Sequence, residues 1–238
     1  MKDINNLHKE LLFLLKEMDN ICSEQDIKYS LFGGTMIGAA RKNGFIPWDD
    51  DADVVFERTE YEKFLKVIPN TYRISRELWV PRFSSNDNTV AYLDIFIFDG
   101  IAKSNFIQKL HMPCIKVVQG MIKGKPTTNK GFLGALFSFG TVLLGFPFTK
   151  KFKLRIYDAL AKKYKIDNSS YIFSSLDQFK YLGNIMPKNT LKSYGRVDFE
   201  DTQLMAIDAY DYYLTKFYGN YMQPPPVELQ VPEHGNLN

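Results

Sequence analysis

The chain has 238 residues, 45% of them apolar and 24% charged, with a formal net charge of +3 and a mean hydropathy of −0.24. That composition supports one sizeable core and excludes an intrinsically disordered chain, a collagen-like repeat or a string of modules. Its two cysteines, Cys22 and Cys114, lie far apart with no Cys or His at metal-ligand spacing, which excludes a disulfide framework and a structural zinc site and points to a reducing compartment.

Ile4, Leu7, Leu11, Leu14, Leu15, Met18 and Ile21 recur at three- and four-residue steps and predict an amphipathic helix running to Glu24. Its charged start, Met1-Lys2-Asp3 onward, lacks the apolar run of a signal peptide, so export is not expected. Tyr29 to Phe32 reads as a short strand stopped by a Gly33-Gly34 turn, with Thr35 placed to cap a helix that ends at Gly44. Asp49-Asp50-Asp51-Ala52-Asp53 then opens a buried strand through Val54-Val55-Phe56. A helix from Thr59 to Ile68 is stopped by Pro69, and strands are predicted at Tyr72 to Ser75 and at Leu78 to Phe83. Val90 to Phe98 is the strongest strand pattern in the chain, and its single charge, Asp94, needs a physical reason. Between Asp99 and Asp158 there is no acidic residue and there are ten Lys or Arg, so a basic insert interrupts an otherwise acidic body. A helix is predicted around Ala206 to Tyr218, followed by a Pro-rich, polar tail.

Residues two apart on a strand face the same side, so Asp51 and Asp53 point together. Such a pair repels itself and loses hydration unless a cation or a shared proton offsets the cost. With Asp94 on a neighbouring strand, three hard oxygen donors converge, a ligand set suited to Mg2+ or Mn2+; Asp49 and Asp50 either add a ligand or face solvent. A calcium loop of the EF-hand type fails on Val54, which stands where the sharp turn needs glycine. A glycine pair, a short helix and an Asp-x-Asp strand are together the organisation of the nucleotidyltransferase fold, in which the glycine turn holds phosphates and the carboxylates hold metal. Arg41 is placed either to meet a diphosphate or to sit on the helix surface, and Trp48 either to face a bound donor or to pack beneath the strand. Of the histidines, His8, His111 and His234 all read as structural or exposed rather than catalytic.

The run from Gly34 to Asp53, about twenty consecutive positions, resembles the signature of the LicD family of bacterial phosphocholine transferases, related to the fukutin-type sugar-phosphate transferases. Leu93-Asp94-Ile95-Phe96 with Asp99 is similar to the family's second acidic motif, and Phe199-Glu200-Asp201 with Phe217 to Met222 and Pro224-Pro225 to its C-terminal signature. Asn220 departs from the aspartate common there, and the tail lacks the family's basic ending. The resemblance implies a nucleotidyltransferase-like α/β fold, a mixed sheet flanked by helices with the basic, apolar helical insert added. By that resemblance Asp49, Asp51, Asp53 and Asp94 match motif carboxylates and are the expected metal ligands; the residue reading adds Asp51, Asp53 and Asp94 as the catalytic set and Gly33, Gly34, Thr35, Arg41 and Trp48 as candidate substrate contacts. The resemblance also implies a reaction that moves a phospho-substituent from a cytidine diphosphate donor, CDP-choline or a similar ester, to a glycan hydroxyl.

Gly131 to Phe148 carries no charge and is flanked by Lys125, Lys130, Lys150, Lys151 and Lys153, so it is a spanning segment, a buried helical hairpin or an interfacial helix on anionic lipid. Nucleic acid is not the expected partner, because its binding interleaves cations with aromatics and this core has no cation. The expectation is a catalytic core over residues 1–100, a membrane-facing insert over 101–165, a C-terminal part of the catalytic domain over 166–223 and an extended or disordered tail over 224–238. The enzyme is expected in the cytoplasm, peripheral on the inner face of the cell membrane, acting on a lipid-linked glycan acceptor. A sugar-phosphate or nucleotidyl transferase of the same fold is the alternative.

Overall fold

In a computed structural model describing residues 4–87, 90–127 and 131–232, the chain forms two compact units. In chain order the first elements are α1 (Ile4–Glu24), β1 (Ser30–Leu31), α2 (Gly33–Lys42), β2 (Ala52–Glu57), α3 (Arg58–Val67), β3 (Tyr72–Ser75), β4 (Arg82–Ser85) and β5 (Leu93–Ile101). They are followed by α4 (Asn105–Lys123), α5 (Gly131–Gly145), α6 (Lys150–Ala161), β6 (Tyr171–Ser174), β7 (Ile185–Pro187), β8 (Tyr194–Phe199), β9 (Thr202–Ile207) and α7 (Tyr210–Tyr218). Lys130, His234 and the chain beyond residue 232 lie outside the described residues.

Unit one takes in residues up to 75, 80–98 and those from 188 on. Its strands run in the order β1-β2-β5-β4-β3, with β2 and β5 parallel and the other pairings antiparallel. The architecture is therefore mixed α/β, a mixed sheet flanked by helices. The core is aromatic: Tyr29, Phe56, Phe64, Phe83 and Tyr72 follow one another at ring separations of 5.0 to 5.9 Å. A second cluster gathers Phe96, Phe98, Tyr213 and Phe217 around Phe32. The apolar stripe of α1, Leu7 to Met18, is buried as its periodicity predicts. Asp19 on that helix is also buried, accepting a 2.7 Å bond from the Tyr29 hydroxyl and two from Arg196 at 2.8 and 2.6 Å.

Several boundaries differ from the sequence expectation. The strand expected at Leu78 to Phe83 is Arg82–Ser85, because Pro81 has no amide hydrogen and joins the sheet only through its carbonyl, which accepts the Ile95 amide at 2.8 Å. The glycine pair is the first turn of α2 rather than a turn before it, and Thr35 is not its cap. That helix ends on Asn43 in the left-handed region (φ 59°), one residue before Gly44. Residues 202–207, expected in part as helix, pair antiparallel with β8, so α7 starts only at Tyr210.

Unit two comprises residues 76–79 and 99–187. Here α4 packs against α5 and α6, and β6 pairs with β7. Its interior is more polar: Gln119 donates to the Tyr157 hydroxyl and to the Asp177 carbonyl, both at 2.8 Å, and Tyr157 donates to the Ser175 carbonyl at 2.7 Å. His111 is buried on α4, its Nε2 2.9 Å from the Leu160 carbonyl, and desolvation holds its pKa below the ordinary histidine value. The tail from Pro224 to Pro232 has a single 3-10 turn, Val227–Leu229, and is mostly exposed.

Candidate active site

Strand register builds the acidic cluster. Parallel pairing sets Asp53 of β2 opposite Asp94 of β5, and antiparallel pairing sets Arg82 of β4 opposite Asp94 on the other side. Directly paired residues share a face, so Asp53, Asp94 and Arg82 form a row across three adjacent strands. Asp51, two residues before Asp53, joins them, and one oxygen from each of Asp51, Asp53 and Asp94 lies within 4.8 Å of the others. Asp51 and Asp94 are only 7% and 9% exposed. Like charges this close and this dry repel unless a cation intervenes. One is present: Arg82 Nε donates to Asp94 Oδ1 at 3.0 Å, and its guanidinium lies 4.0 Å from the Tyr92 ring centroid. The calcium-loop alternative has no place here, since Val54 is a buried β2 residue paired with Ile95.

The start of α2 is pressed against these carboxylates. The Asp53 amide donates to Thr35 Oγ1 at 2.8 Å, and the Asp53 carbonyl accepts the Phe32 amide at 3.0 Å. Gly33 has φ +49°, and a Cβ there would fall on the Asp53 carboxylate; one at Gly34 would fall on that of Asp49. The helix opens with no side-chain cap, leaving its positive end facing acidic side chains. Behind the strand, Tyr213 stacks on Phe32, and its hydroxyl is pushed well up by burial first and by the Asp53 charge second.

The loop joining α2 to β2 is fastened from two distant parts of the chain. His8 of α1 stacks on Phe45 at 4.4 Å and places Nε2 2.7 Å from the Asp49 carbonyl. Glu200, between β8 and β9, accepts the Phe45 amide at 2.9 Å and donates its own amide to the Asn43 carbonyl at 2.7 Å. Phe199 meets Phe45 edge-on, and Gly44 is a glycine because a Cβ would overlap the Glu200 carboxylate. Arg41 is directed at the C-terminal segment, its guanidinium donating to the carbonyls of Tyr221 and Gln223. Trp48 and Asp49 are half-buried and Asp50 is fully buried.

The structure therefore gathers Asp51, Asp53 and Asp94, brings Gly33, Gly34 and Thr35 against Asp49 and Asp53, and turns Arg41 to residues 221–223. Sequence reasoning missed Arg82 and the fastening role of Glu200, while His8, read as structural or exposed, packs on Phe45 and holds the Asp49 carbonyl. Arg82 carried a usable signal, a lone charge at the edge of an apolar strand pattern, the same feature that singled out Asp94. His8 and Glu200 act across 41 and 155 positions, and although Glu200 lies in a motif, its partner could not be read from it.

Comparison with known proteins adds to this geometry. The family model described as "LicD/FKTN/FKRP, nucleotidyltransferase domain" matches residues 26–112. The chain is 30% identical to the lipopolysaccharide cholinephosphotransferase LicD of Haemophilus influenzae, over 98% of its own length and 97% of that protein's. Two uncharacterized proteins, from Rickettsia typhi and Rickettsia prowazekii, are each 30% identical over 41% and 35% of the chain, and 31% of their own length.

Proposed function

The chain belongs to the LicD family, and from that premise we propose that it moves phosphocholine from CDP-choline or a similar CDP-activated donor to a hydroxyl of a cell-surface glycan precursor. The observation that carries this reading is the row Asp53, Asp94 and Arg82 with Asp51 beside it, facing the glycine-led start of α2. Three carboxylate oxygens within 4.8 Å of one another suit a hard divalent cation. Mg2+ or Mn2+ fits there, with Asp51, Asp53 and Asp94 as ligands and Asp49 alongside. Bound there, it would neutralise charge on the donor's diphosphate.

The chain's own residues supply the rest. The amides of Gly33 and Gly34, in the first turn of α2, are the donors proposed for phosphate oxygens, and a side chain on either residue would crowd the Asp53 or Asp49 carboxylate. Asp94 is the residue proposed to take the proton of the acceptor hydroxyl, and Arg82, donating to its Oδ1, positions its carboxylate. Arg41 acts by anchoring residues 221–223 to α2 rather than by touching the diphosphate. Trp48, half-buried next to the acidic run, is the aromatic face proposed for the choline ammonium. Residues 1–100 and 166–223 are read as the catalytic domain, and 101–165 as an insert that keeps the enzyme peripheral on the inner face of the cell membrane, near a lipid-linked acceptor.

The test supplies CDP-choline, CDP-ribitol and CTP separately with magnesium and measures CMP and pyrophosphate. CMP from CDP-choline alone is expected. CMP from CDP-ribitol alone would reassign the donor, and pyrophosphate from CTP with no CMP from either ester would overturn the reading.

A further inference from the structure

The insert helix α5 is built inside out. Of its fifteen residues only Thr141 and Gly145 are buried, with Gly134 and Ser138 half-buried one and two turns earlier. These four small residues fall at the spacing of one helix face. That face meets α4 closely: a Cβ on Gly120 would overlap the Thr141 side chain, and one on Gly145 would lie 2.8 Å from Met121 Cβ. Most large apolar residues of α5 point the other way, while Phe137 meets Phe179 edge-on and Val142 is half-buried. Phe132 and Leu133 are 82% and 78% exposed, and Leu136, Phe139, Leu143 and Leu144 are all more than half exposed. A water-soluble helix packs its large apolar side chains inward; small residues at the helix contact with large ones outward is how helices pack when lipid surrounds them.

The insert exposes further large apolar side chains, Phe106 and Leu110 on α4 and, just after α5, Phe148 and Phe152, which stack at 5.1 Å. So many exposed large apolar residues on one short helix exceed what scattered surface hydrophobes account for. The insert's exposed charges have one sign: Lys103, Lys109, Lys125, Lys150 and Lys151 are exposed, and no acidic residue occurs between Asp99 and Asp158. A second copy of the chain would bring the same cations against these, whereas anionic headgroups complement them. At 15 residues α5 is about 22 Å long, short of the roughly 30 Å hydrocarbon layer, and the chain turns by 113° into α6. It cannot cross.

We propose that the exposed face of α5, with the neighbouring Phe148 and Phe152, lies in the plane of an anionic phospholipid bilayer, with large apolar side chains in the acyl boundary and the lysines among the headgroups. The inference rests on the peripheral-membrane part of the reading above and not on its phosphoryl chemistry.

The test is co-sedimentation of the full chain with vesicles of phosphatidylglycerol and phosphatidylcholine, against phosphatidylcholine alone. CMP release from CDP-choline is followed in lipid-free solution, so that loss of binding and loss of catalysis are read separately. Wild type should bind the anionic vesicles more tightly, and less so at high salt. Replacing Lys125, Lys150 and Lys151 by Gln should weaken that binding about a hundredfold, at ~1 kcal/mol per cation, with little change on neutral vesicles. L136D with F139D should weaken binding to both vesicle types by about tenfold or more, with melting temperature and soluble turnover retained. Equal wild-type binding to neutral and anionic vesicles, or binding to neither, would overturn the proposal. So would a lipid-free dimer that L136D dissociates, because the covering partner would then be a second copy.

Discussion

Asp51, Asp53 and Asp94 put three carboxylates where the surrounding strand residues are buried and apolar, whereas α5 puts Phe132, Leu136 and Leu143 where a water-soluble helix carries Lys and Glu. Each departure is specific in its geometry. The carboxylates are aligned by strand register and backed by Arg82, and the phenylalanines and leucines are turned outward because small residues occupy the contact with α4. Buried like charge calls for a cation, and exposed apolar surface between lysines calls for an anionic, apolar phase. The two regions thus state two different ligands by the same rule: local chemistry that the fold alone does not satisfy.

The largest expected effect breaks the first region. Asp51→Asn, Asp53→Asn and Asp94→Asn should each lower CMP release from CDP-choline by about a thousandfold, the range seen when one preorganised electrostatic group is lost. For Asp51→Asn and Asp53→Asn melting temperature in chelator should hold or rise, because repulsion among the three carboxylates is relieved. Turnover within tenfold of wild type in Asp51→Asn at ordinary magnesium would remove that residue from the site.

A sharper contrast comes from the buried acid of unit two. Asp94 has Arg82 at 3.0 Å; Asp177, 3% exposed, makes no ion pair among the described residues. Desolvation pushes the Asp177 pKa up to about 7, with the Gln178 amide at 2.7 Å pulling the other way. The sign follows from proton counting. A folded pKa above the unfolded one means the folded state holds more protons between roughly pH 4 and 7, so stability falls as pH rises through that window. Asp177→Asn should abolish this slope. Its urea midpoint should match wild type near pH 4 and exceed it at pH 8, by up to about 4 kcal/mol at 1.36 kcal/mol per pKa unit. A parallel pH dependence in the two proteins would show that Asp177 is charged in the fold.

How far such features were legible in sequence depends on the range of the interaction behind them. The stripe of α1 is local and repeats over six turns, and its bounds agree with expectation. The convergence of Asp51, Asp53 and Asp94 was legible because a charge inside an apolar strand pattern is locally anomalous. Arg82 lay inside the expected strand, Leu78 to Phe83, but its partner Asp94 is set by cross-strand register that the sequence does not give, and the partner of Glu200 lies 155 positions away. For α5 the composition was plain and the orientation was not. A helix apolar all round has no phase of its own, so only the contact with Gly120 and Met121 decides which side faces α4.

Within the acidic region, Arg82→Gln tests whether the cation matters apart from the carboxylates. It removes the charge beside Asp94 while keeping a hydrogen-bond donor of similar reach. Expected is a loss of about ten- to a hundredfold in kcat, smaller than for the aspartates, at the scale of one charge-assisted hydrogen bond. Arg82→Lys should recover part of it, because the charge returns without the planar contact to Tyr92. Unchanged kcat in both variants would leave Arg82 as packing on Tyr92.

The smallest effects separate the two faces of α5. Gly145→Leu drives a side chain into Met121, whose Cβ is 2.8 Å from where the new Cβ would sit, so it should cost about 1–3 kcal/mol, the ordinary price of overpacking a helix contact. Leu136→Gln, on the opposite face and 57% exposed, should change stability by less than about 0.5 kcal/mol. In a soluble-protein helix the order would be reversed, since the leucine would be the core residue and the terminal glycine the tolerant site. Urea unfolding of the two variants in lipid-free buffer decides between these orders. A leucine variant that loses more than the glycine variant would mean that Leu136 is covered in solution, and α5 would then be an ordinary packed helix with its large side chains inside.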